Sequence, residues 1–329
     1  MKNFINEDKI FDILEETQRP SRQRVETIIN KSLALKGLNP EEVAVLLNCD
    51  EKVVLNKIFK TAKQIKETIY GNRLVLFAPL YLSNRCVNNC LYCGFRKEHL
   101  NTETRCLNTN EIREETRALI SQGHKRLLIV SAEDPAVDID YVGKAIKTVY
   151  DTKEGNGGIR RVNINVAPMG VENFKRLKQT GIGTYQLFQE TYHGDTYSLL
   201  HTSGPKSDYL KRLYACDIAQ SAGIDDIGIG ALFGLYDYKF EVLALLFHTM
   251  HLEEVFGVGP HTISVPRLEQ AQGSNIASAP PYPVSDADLK KIIAVLRLAV
   301  PYTGIILSTR EDAALRNELI YLGVSQISA

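Results

Sequence analysis

The chain has 329 residues, and its 39 Lys plus Arg balance 39 Asp plus Glu, giving a formal net charge of zero at pH 7. That balance argues against a nucleic-acid or anionic-membrane partner held by bulk electrostatics. The N-terminal MKNFINEDKIFDILEETQ lacks the long apolar core of a signal peptide, and no apolar run reaches spanning length, so a reduced, cytoplasmic location is expected. The length suits one α/β barrel with an appendage better than two ordinary domains. Residues 1–71 read as a helical extension. Asn39-Pro40-Glu41-Glu42 is a helix start: an N-cap, Pro at the first helical position, then acidic residues at the positive end of the dipole. Val53, Val54, Ile58, Ala62, Ile65 and Ile69 form a helical stripe that Gly71 ends.

From residue 72 the pattern becomes a β/α alternation. Strands are expected over 74–81, 126–131, 161–166, 183–188, 226–230, 261–265, 304–308 and 324–328. Helices are expected over 109–122, 139–150, 171–180, 207–221, 238–255, 286–298 and 311–322. Eight strands separated by helices predict a (β/α)8 TIM-type barrel spanning 72–329, behind the N-terminal helical extension. The chain as given stops at the eighth strand, so no eighth helix is expected to follow it.

After the first strand comes Cys86-Val87-Asn88-Asn89-Cys90-Leu91-Tyr92-Cys93. Three thiolates spaced Cys-x3-Cys-x2-Cys on one loop can hold three irons of a 4Fe–4S cluster. The fourth iron is then an open position, which S-adenosylmethionine (SAM) can fill. A structural zinc site with His99 as fourth ligand is the alternative. Cys49, Cys106 and Cys216 are scattered and read as structural or incidental.

Active sites of such barrels lie at the C-terminal ends of the strands, so polar residues there are candidates. Glu133, in Ser-Ala-Glu-Asp-Pro after strand two, can accept the ammonium of SAM; a surface turn residue is the bland alternative. Asn163 and Asn165 alternate in strand three and are expected to face inward, as ligand contacts or as a satisfied polar layer. Glu190 follows strand four and can accept two ribose hydroxyls. Arg212, 22 residues on, can hold a carboxylate as a fork. His261 begins strand six; placed at a barrel mouth it is a candidate metal ligand or proton carrier. Arg310 ends strand seven and can grip a substrate carboxylate. His248 and His251, three apart on a helix, read as solvated.

These pieces resemble the radical SAM superfamily, and within it the tyrosine lyases of iron-only hydrogenase maturation. YLSNRCVNNCLYCGFR, SAEDP, GIGTYQLFQETYH, GIDDIGIGALFGL, FGVGPHTISVPR, AVPYTGIILSTRE and LGVSQIS all look like motifs of that family, in order and over nearly the whole chain. The resemblance implies a 4Fe–4S cluster on Cys86, Cys90 and Cys93, with Tyr92 beside it. It implies SAM contacts from Glu133, Glu190 and Arg212, and a tyrosine carboxylate on Arg310. It also implies an extra iron of a second cluster near His261. The implied reaction takes a hydrogen from the tyrosine amino group and breaks Cα–Cβ, giving p-cresol and dehydroglycine. A low-potential ferredoxin or flavodoxin is the implied electron donor, and other hydrogenase maturases are candidate partners. The alternatives are a 2-iminoacetate synthase for thiazole biosynthesis, a tryptophan-acting relative, or a non-catalytic metal-carrying assembly module. The chain departs from the family pattern at Arg85, where an aromatic residue is expected, and at Ile218, where Arg is expected. No cysteine follows Cys216. The chain as given is therefore expected to stop at p-cresol and dehydroglycine, with slow turnover.

Overall fold

Side-chain caps start the N-terminal helices. In the computed structural model, which describes residues 2–328, Asn6 caps α1 (Glu7–Glu16) and Ser21 caps α2 (Arg22–Ser32). Asn39 and Glu42 close a reciprocal capping box on α3 (Pro40–Leu47). The apolar stripe of α4 (Lys52–Tyr70) buries Val54, Ile58, Ala62 and Ile65. Gly71, at φ +59°, ends that helix where a side chain would be strained.

The strands are β1 (Val75–Ser83), β2 (Arg126–Ser131), β3 (Arg161–Asn165), β4 (Thr184–Gln186), β5 (Asp226–Gly230), β6 (Thr262–Ser264), β7 (Gly304–Leu307) and β8 (Gln326–Ser328). All pair in parallel and close into a barrel. The closing seam is β1 on β8, with Val75 opposite Gln326 and Phe77 opposite Ser328. The helices that alternate with them are α5 (Thr109–Ser121), α6 (Ile139–Asp151), α7 (Val171–Gln179), α8 (Gly194–Leu200), α9 (Tyr209–Leu213), α10 (Ala215–Ser221), α11 (Tyr238–Phe256), α12 (Asn275–Ser278), α13 (Asp286–Ala299) and α14 (Ala313–Leu322). The N-terminal helices dock outside this ring: α1 and α3 on α11, and α4 on α13. No helix among the described residues is long and apolar enough to cross a membrane.

The expected α/β barrel is present, with its strands where the alternation put them. Three details differ. A two-strand hairpin at Lys153–Glu154 and Gly157–Gly158 is an addition. Helix α8 begins at His193, whose ring accepts from the Thr196 N–H; His is an uncommon cap, and periodicity gave no sign of it. The helix expected over 207–221 starts only after Asp208, which caps Lys211, and it breaks at Tyr214, whose backbone is off-helical. The turn before it, Pro205–Ser207, is a 3-10 turn entered through Gly204 at φ +93°.

Side chains fill the barrel axis, and many of them are polar. Gln186, Thr262 and Gln326 meet there, and glycine makes the room. A Cβ on Gly228 would lie 2.5 Å from the Thr262 hydroxyl, and one on Gly304 2.5 Å from the Gln326 amide.

Arg297 is fully buried in α13. Its guanidinium donates to the carbonyls of Gly323 (3.1 and 2.8 Å), Pro301 (2.9 Å) and Thr303 (2.7 Å), and it lies over the Tyr70 ring at 5.0 Å. This one residue joins α4, α13, α14 and the start of β7. Arg297→Met should therefore leave buried carbonyls without donors, at about 1–3 kcal/mol each. Urea unfolding should show a loss of at least about 3 kcal/mol. A midpoint equal to that of the parent chain would refute the role.

Candidate active site at the barrel mouth

The Cys86–Cys93 loop leaves the C-terminal end of β1 and is clasped from two sides. On one side the turn after β2 holds its start. The Val87 N–H donates to the Glu133 carbonyl (3.0 Å), and the Asn88 amide donates to the Glu133 carboxylate (2.7 Å). Below that turn, the Ser83 hydroxyl donates to Asp134 (2.9 Å). On the other side the segment after α8 lies along the loop like an extra strand. Asn89 N–H donates to the Ser203 carbonyl (3.0 Å), Leu91 N–H to that of Leu200 (2.9 Å), and Cys90 bridges to His201. The Ser274 hydroxyl caps the far end on the Leu91 carbonyl (2.7 Å).

Within this clasp all three thiols are free. Burial pushes the Cys90 thiol up to about 11, with Lys206 opposing, and burial raises Cys93 as well. Thiols held neutral by burial become thiolates against a metal cation. Among the described residues no three His, Cys, Asp or Glu side chains gather tightly enough for a single metal ion. A closed structural zinc site takes four protein ligands, whereas a 4Fe–4S cluster with one open iron takes three thiols, the number this loop supplies. The zinc alternative also needs His99. Its Nδ1 is already engaged by the Gly94 carbonyl (2.8 Å) and the Thr102 hydroxyl (2.8 Å).

Beside the loop a cavity of about 610 Å³ opens down the barrel axis. Tyr92 and Cys93 form its rim, with Phe77, Pro79, Val130, Phe188 and Ile306 among its walls. Asn165, Gln186, Ser264 and Ser308 add polar groups, and Arg310 stands at the end of β7. Arg310 is exposed, and its guanidinium has no carboxylate partner among the described residues.

Glu190, Arg212 and Tyr92 meet next to that rim. The Arg212 guanidinium, almost wholly buried, donates from Nε to the Phe188 carbonyl (2.7 Å) and from Nη2 to Glu190 Oε1 (3.2 Å). An arginine carries five N–H donors, so it keeps others for a ligand. Lys206 Nζ sits on the same oxygen at 2.6 Å. Burial would raise the Glu190 carboxyl, but Lys206 and Arg212 outweigh it and hold it below its ordinary value. Glu190 has φ +75°, rare for a residue with a side chain. The Tyr92 hydroxyl pairs with His201 Nε2 at 2.9 Å, and burial lowers that imidazole to about 3.

The structure thus brings Cys86, Cys90, Cys93, Tyr92, Glu133, Glu190 and Arg212 to one end, with Asn165 and Arg310 facing the cavity beside it. Two expected candidates are elsewhere. Asn163 lies one layer deeper, where its amide oxygen accepts from Thr184 N–H (3.1 Å) and Arg161 Nε (3.2 Å); it is a satisfied strand residue outside the cavity. His261 precedes β6 and so sits at the N-terminal end of the barrel, not at the mouth. There it faces Asp226 at 3.7 Å, itself paired with Arg161 at 2.5 Å. It lies away from the cysteine loop, so the rule about strand ends does not apply to it, and the second-cluster iron that the resemblance implies beside it would sit at that opposite end. The helical histidines are not solvated either. His248 is buried with its Nδ1 on the Tyr192 hydroxyl (2.8 Å), and His251 pairs with Asp217 (2.6 Å) under the Phe4 ring. Sequence reasoning missed Asn88, His201 and Lys206. They lie in no spacing that marks a ligand, and only the fold brings 200–206 onto the cysteine loop.

The strained turn at Glu190 has its own support. Glu241, fully buried on α11, accepts from the Thr191 hydroxyl and from the Tyr192 N–H (3.0 Å). Burial pushes its carboxyl up to about 8 from an ordinary 4.5, against those two bonds. A folded value above the unfolded one means stability complete below the unfolded value and lost as pH rises through the folded one. Glu241→Gln can still accept from Tyr192 and donate to Thr191. It should flatten the fall in unfolding free energy between about pH 5 and 8 seen in the parent chain. Urea melts across that range test this; superimposable pH profiles would refute it.

Residues 80–247 match the Radical SAM superfamily, and residues 264–329 match the Biotin and Thiamin Synthesis associated domain. A crystal structure of HydG, a maturase of the FeFe-hydrogenase, superposes with TM-score 0.97 at 55% identity, over 100% of this chain and 72% of that one. The FeFe-hydrogenase maturase HydG from Carboxydothermus hydrogenoformans superposes with TM-score 0.91 at 44% identity, over 98% and 74%. The 2-iminoacetate synthase of Salmonella typhimurium is 30% identical over 303 residues, 92% of this chain and 78% of its own length.

Proposed function

We infer the function of this chain from its family: it belongs to the radical SAM superfamily, and a 4Fe–4S cluster and SAM are its cofactors. We propose that it is the tyrosine lyase of hydrogenase maturation, breaking the Cα–Cβ bond of L-tyrosine to give p-cresol and dehydroglycine. The observation that carries this is the cavity. Its walls are largely apolar and aromatic, its rim bears Cys93, and the exposed Arg310, whose guanidinium has no carboxylate partner among the described residues, is available for a carboxylate. Such a space fits an amino acid with a large, mostly apolar side chain.

When bound, the cluster and SAM supply a 5′-deoxyadenosyl radical able to take hydrogen from the substrate. The chain's own residues bind, orient and shield. Cys86, Cys90 and Cys93 would hold the cluster. Glu133, free of any cationic side chain among the described residues, would accept the SAM ammonium. Glu190 would accept the ribose hydroxyls, and Arg212 would offer its remaining donors to the SAM carboxylate. Tyr92 would pack against the cofactor from the loop. Arg310 would fix the substrate carboxylate and Asn165 would hydrogen-bond to the substrate, so the amino group is presented at the cluster end. The apolar walls keep water from the radical. A low-potential ferredoxin or flavodoxin would supply the electron, other hydrogenase maturases would be partners, and a reduced cytoplasm would keep the cluster intact.

A second reading has support of its own. The 30% identity to a 2-iminoacetate synthase is compatible with the same cleavage serving thiazole formation. Both readings require p-cresol from tyrosine, and only the fate of the second product separates them.

Cys93→Ala should abolish reductive SAM cleavage after anaerobic reconstitution, because one iron loses its protein ligand; cleavage at the parent rate would overturn the ligand assignment. Arg310→Ala should raise KM for tyrosine about ten- to a hundredfold, as expected for a charged hydrogen bond of about 1.5–3 kcal/mol. Its iron content should not change. Unaltered tyrosine kinetics, or turnover of tryptophan in preference to tyrosine by the parent chain, would overturn the substrate reading.

A further inference from the structure

Lys206 has no place in the chemistry described so far, yet its ammonium occupies the residue assigned to the ribose. Both cations beside Glu190 use the same oxygen, Oε1: Lys206 at 2.6 Å and Arg212 at 3.2 Å. They are not equally free to move. Arg212 is pinned by the Phe188 carbonyl at 2.7 Å. Lys206 is anchored only through its main chain. Its N–H donates to Asn88 Oδ1 (2.8 Å), and its carbonyl accepts the Tyr197 hydroxyl (2.5 Å). Gly204, at φ +93°, lets that segment press on Asn88, where a Cβ would come within 2.4 Å of Oδ1. The main chain of Lys206 is therefore part of the clasp on the cysteine loop, while its side chain swings on a flexible four-carbon stem. The face of the Tyr92 ring, 5.6 Å from Nζ, gives the ammonium a second resting place.

Arg212, fixed beside it, already gives the buried Glu190 carboxylate one counter-charge, and Lys206 adds a second on the same oxygen. The cofactor brings two hydroxyl donors and a net positive charge, so on its arrival a second cation at Oε1 is both redundant and repelled. We propose that Lys206 is a displaceable stand-in for the ribose: its ammonium takes Oε1 of Glu190 before SAM binds and leaves that oxygen when SAM binds. This rests on Glu190 being the ribose acceptor. It makes Lys206 a positioning residue whose cost is borne in binding, since a ligand that needs a minor state pays the fraction of molecules in it.

The test is SAM affinity of anaerobically reconstituted protein, measured by equilibrium dialysis or calorimetry. With the Lys-off state at about a tenth to a third of molecules, Lys206→Met should bind SAM about three- to tenfold more tightly. It should also show a larger rise in Tm on adding SAM. Lys206→Arg, able to fork across both carboxylate oxygens, should bind SAM more weakly. Iron content and the visible spectrum should stay unchanged in both, because the clasp is made by the main chain. A merely structural lysine predicts the opposite sign for Lys206→Met, so equal or weaker binding overturns the stand-in. Glu190→Gln separates the two layers. Parent-like SAM affinity in Glu190→Gln would show that Glu190 is not the acceptor and overturn the reading beneath. If Glu190 is the acceptor, the gain from Lys206→Met should vanish in the Glu190→Gln background, and a gain that persists there overturns the stand-in alone.

Discussion

Three segments of the chain meet on the amide of Asn88, and the mouth of the barrel is built around that meeting. Its nitrogen donates to Glu133 from the turn after β2, and its oxygen accepts from the main chain of Lys206 after α8. The amide nitrogen also lies 3.6 Å from the Cys86 sulfur. A loop of eight residues with three thiols has no fold of its own. Fixing it costs roughly 1–2 kcal/mol per residue in backbone entropy. Strands β1 and β2 and helix α8 offset that cost by holding the two flanking segments in place. One satisfied amide then sets the loop's position relative to both carboxylates.

The same logic explains the strain at Glu190. A left-handed backbone at a non-glycine residue costs on the order of 1–3 kcal/mol and persists only where the surroundings over-determine it. They do here. The Glu190 carbonyl accepts the Leu232 N–H at 2.7 Å, the residue bridges to Ala231, and Glu241 holds the two residues that follow. Glycine would relieve the strain but would remove the carboxylate. The fold keeps a carboxylate in that position by burying a second acid, Glu241, behind it.

Much of this was legible in the sequence, for identifiable reasons. The barrel was legible because eight apolar runs alternate with amphipathic stretches. The cysteine loop was legible because metal chemistry forces three thiols into a short spacing. The place of Glu133, Glu190 and Arg310 at the mouth was legible because barrel sites gather at the C-terminal ends of strands, and those residues follow β2, β4 and β7. His261 was misplaced by one strand length, since a residue that precedes a strand belongs to the opposite end. Asn163 shows the limit of alternation: facing inward does not tell which layer a residue occupies. Lys206 was invisible because its partners, Asn88 and Glu190, are 118 and 16 residues away and are joined to it only by tertiary contacts.

The distribution of counter-charges bears on which carboxylate receives which part of the cofactor. Glu190 already has two cations on one oxygen, while among the described residues the side-chain partner of the Glu133 carboxylate is the neutral amide of Asn88. A full positive charge arriving at Glu190 would face Arg212 and Lys206 in a poorly hydrated space, where like charges repel most strongly. Hydroxyl donors carry no such penalty. At Glu133 the balance reverses: a carboxylate without a cation beside it gains most from an ammonium. Arg212, beneath Glu190, is left with donors but no free anion, which is the setting a third group, the cofactor's own carboxylate, would complete. The pattern of pairing therefore fits the proposed placement of the ammonium at Glu133, the hydroxyls at Glu190 and the carboxylate at Arg212.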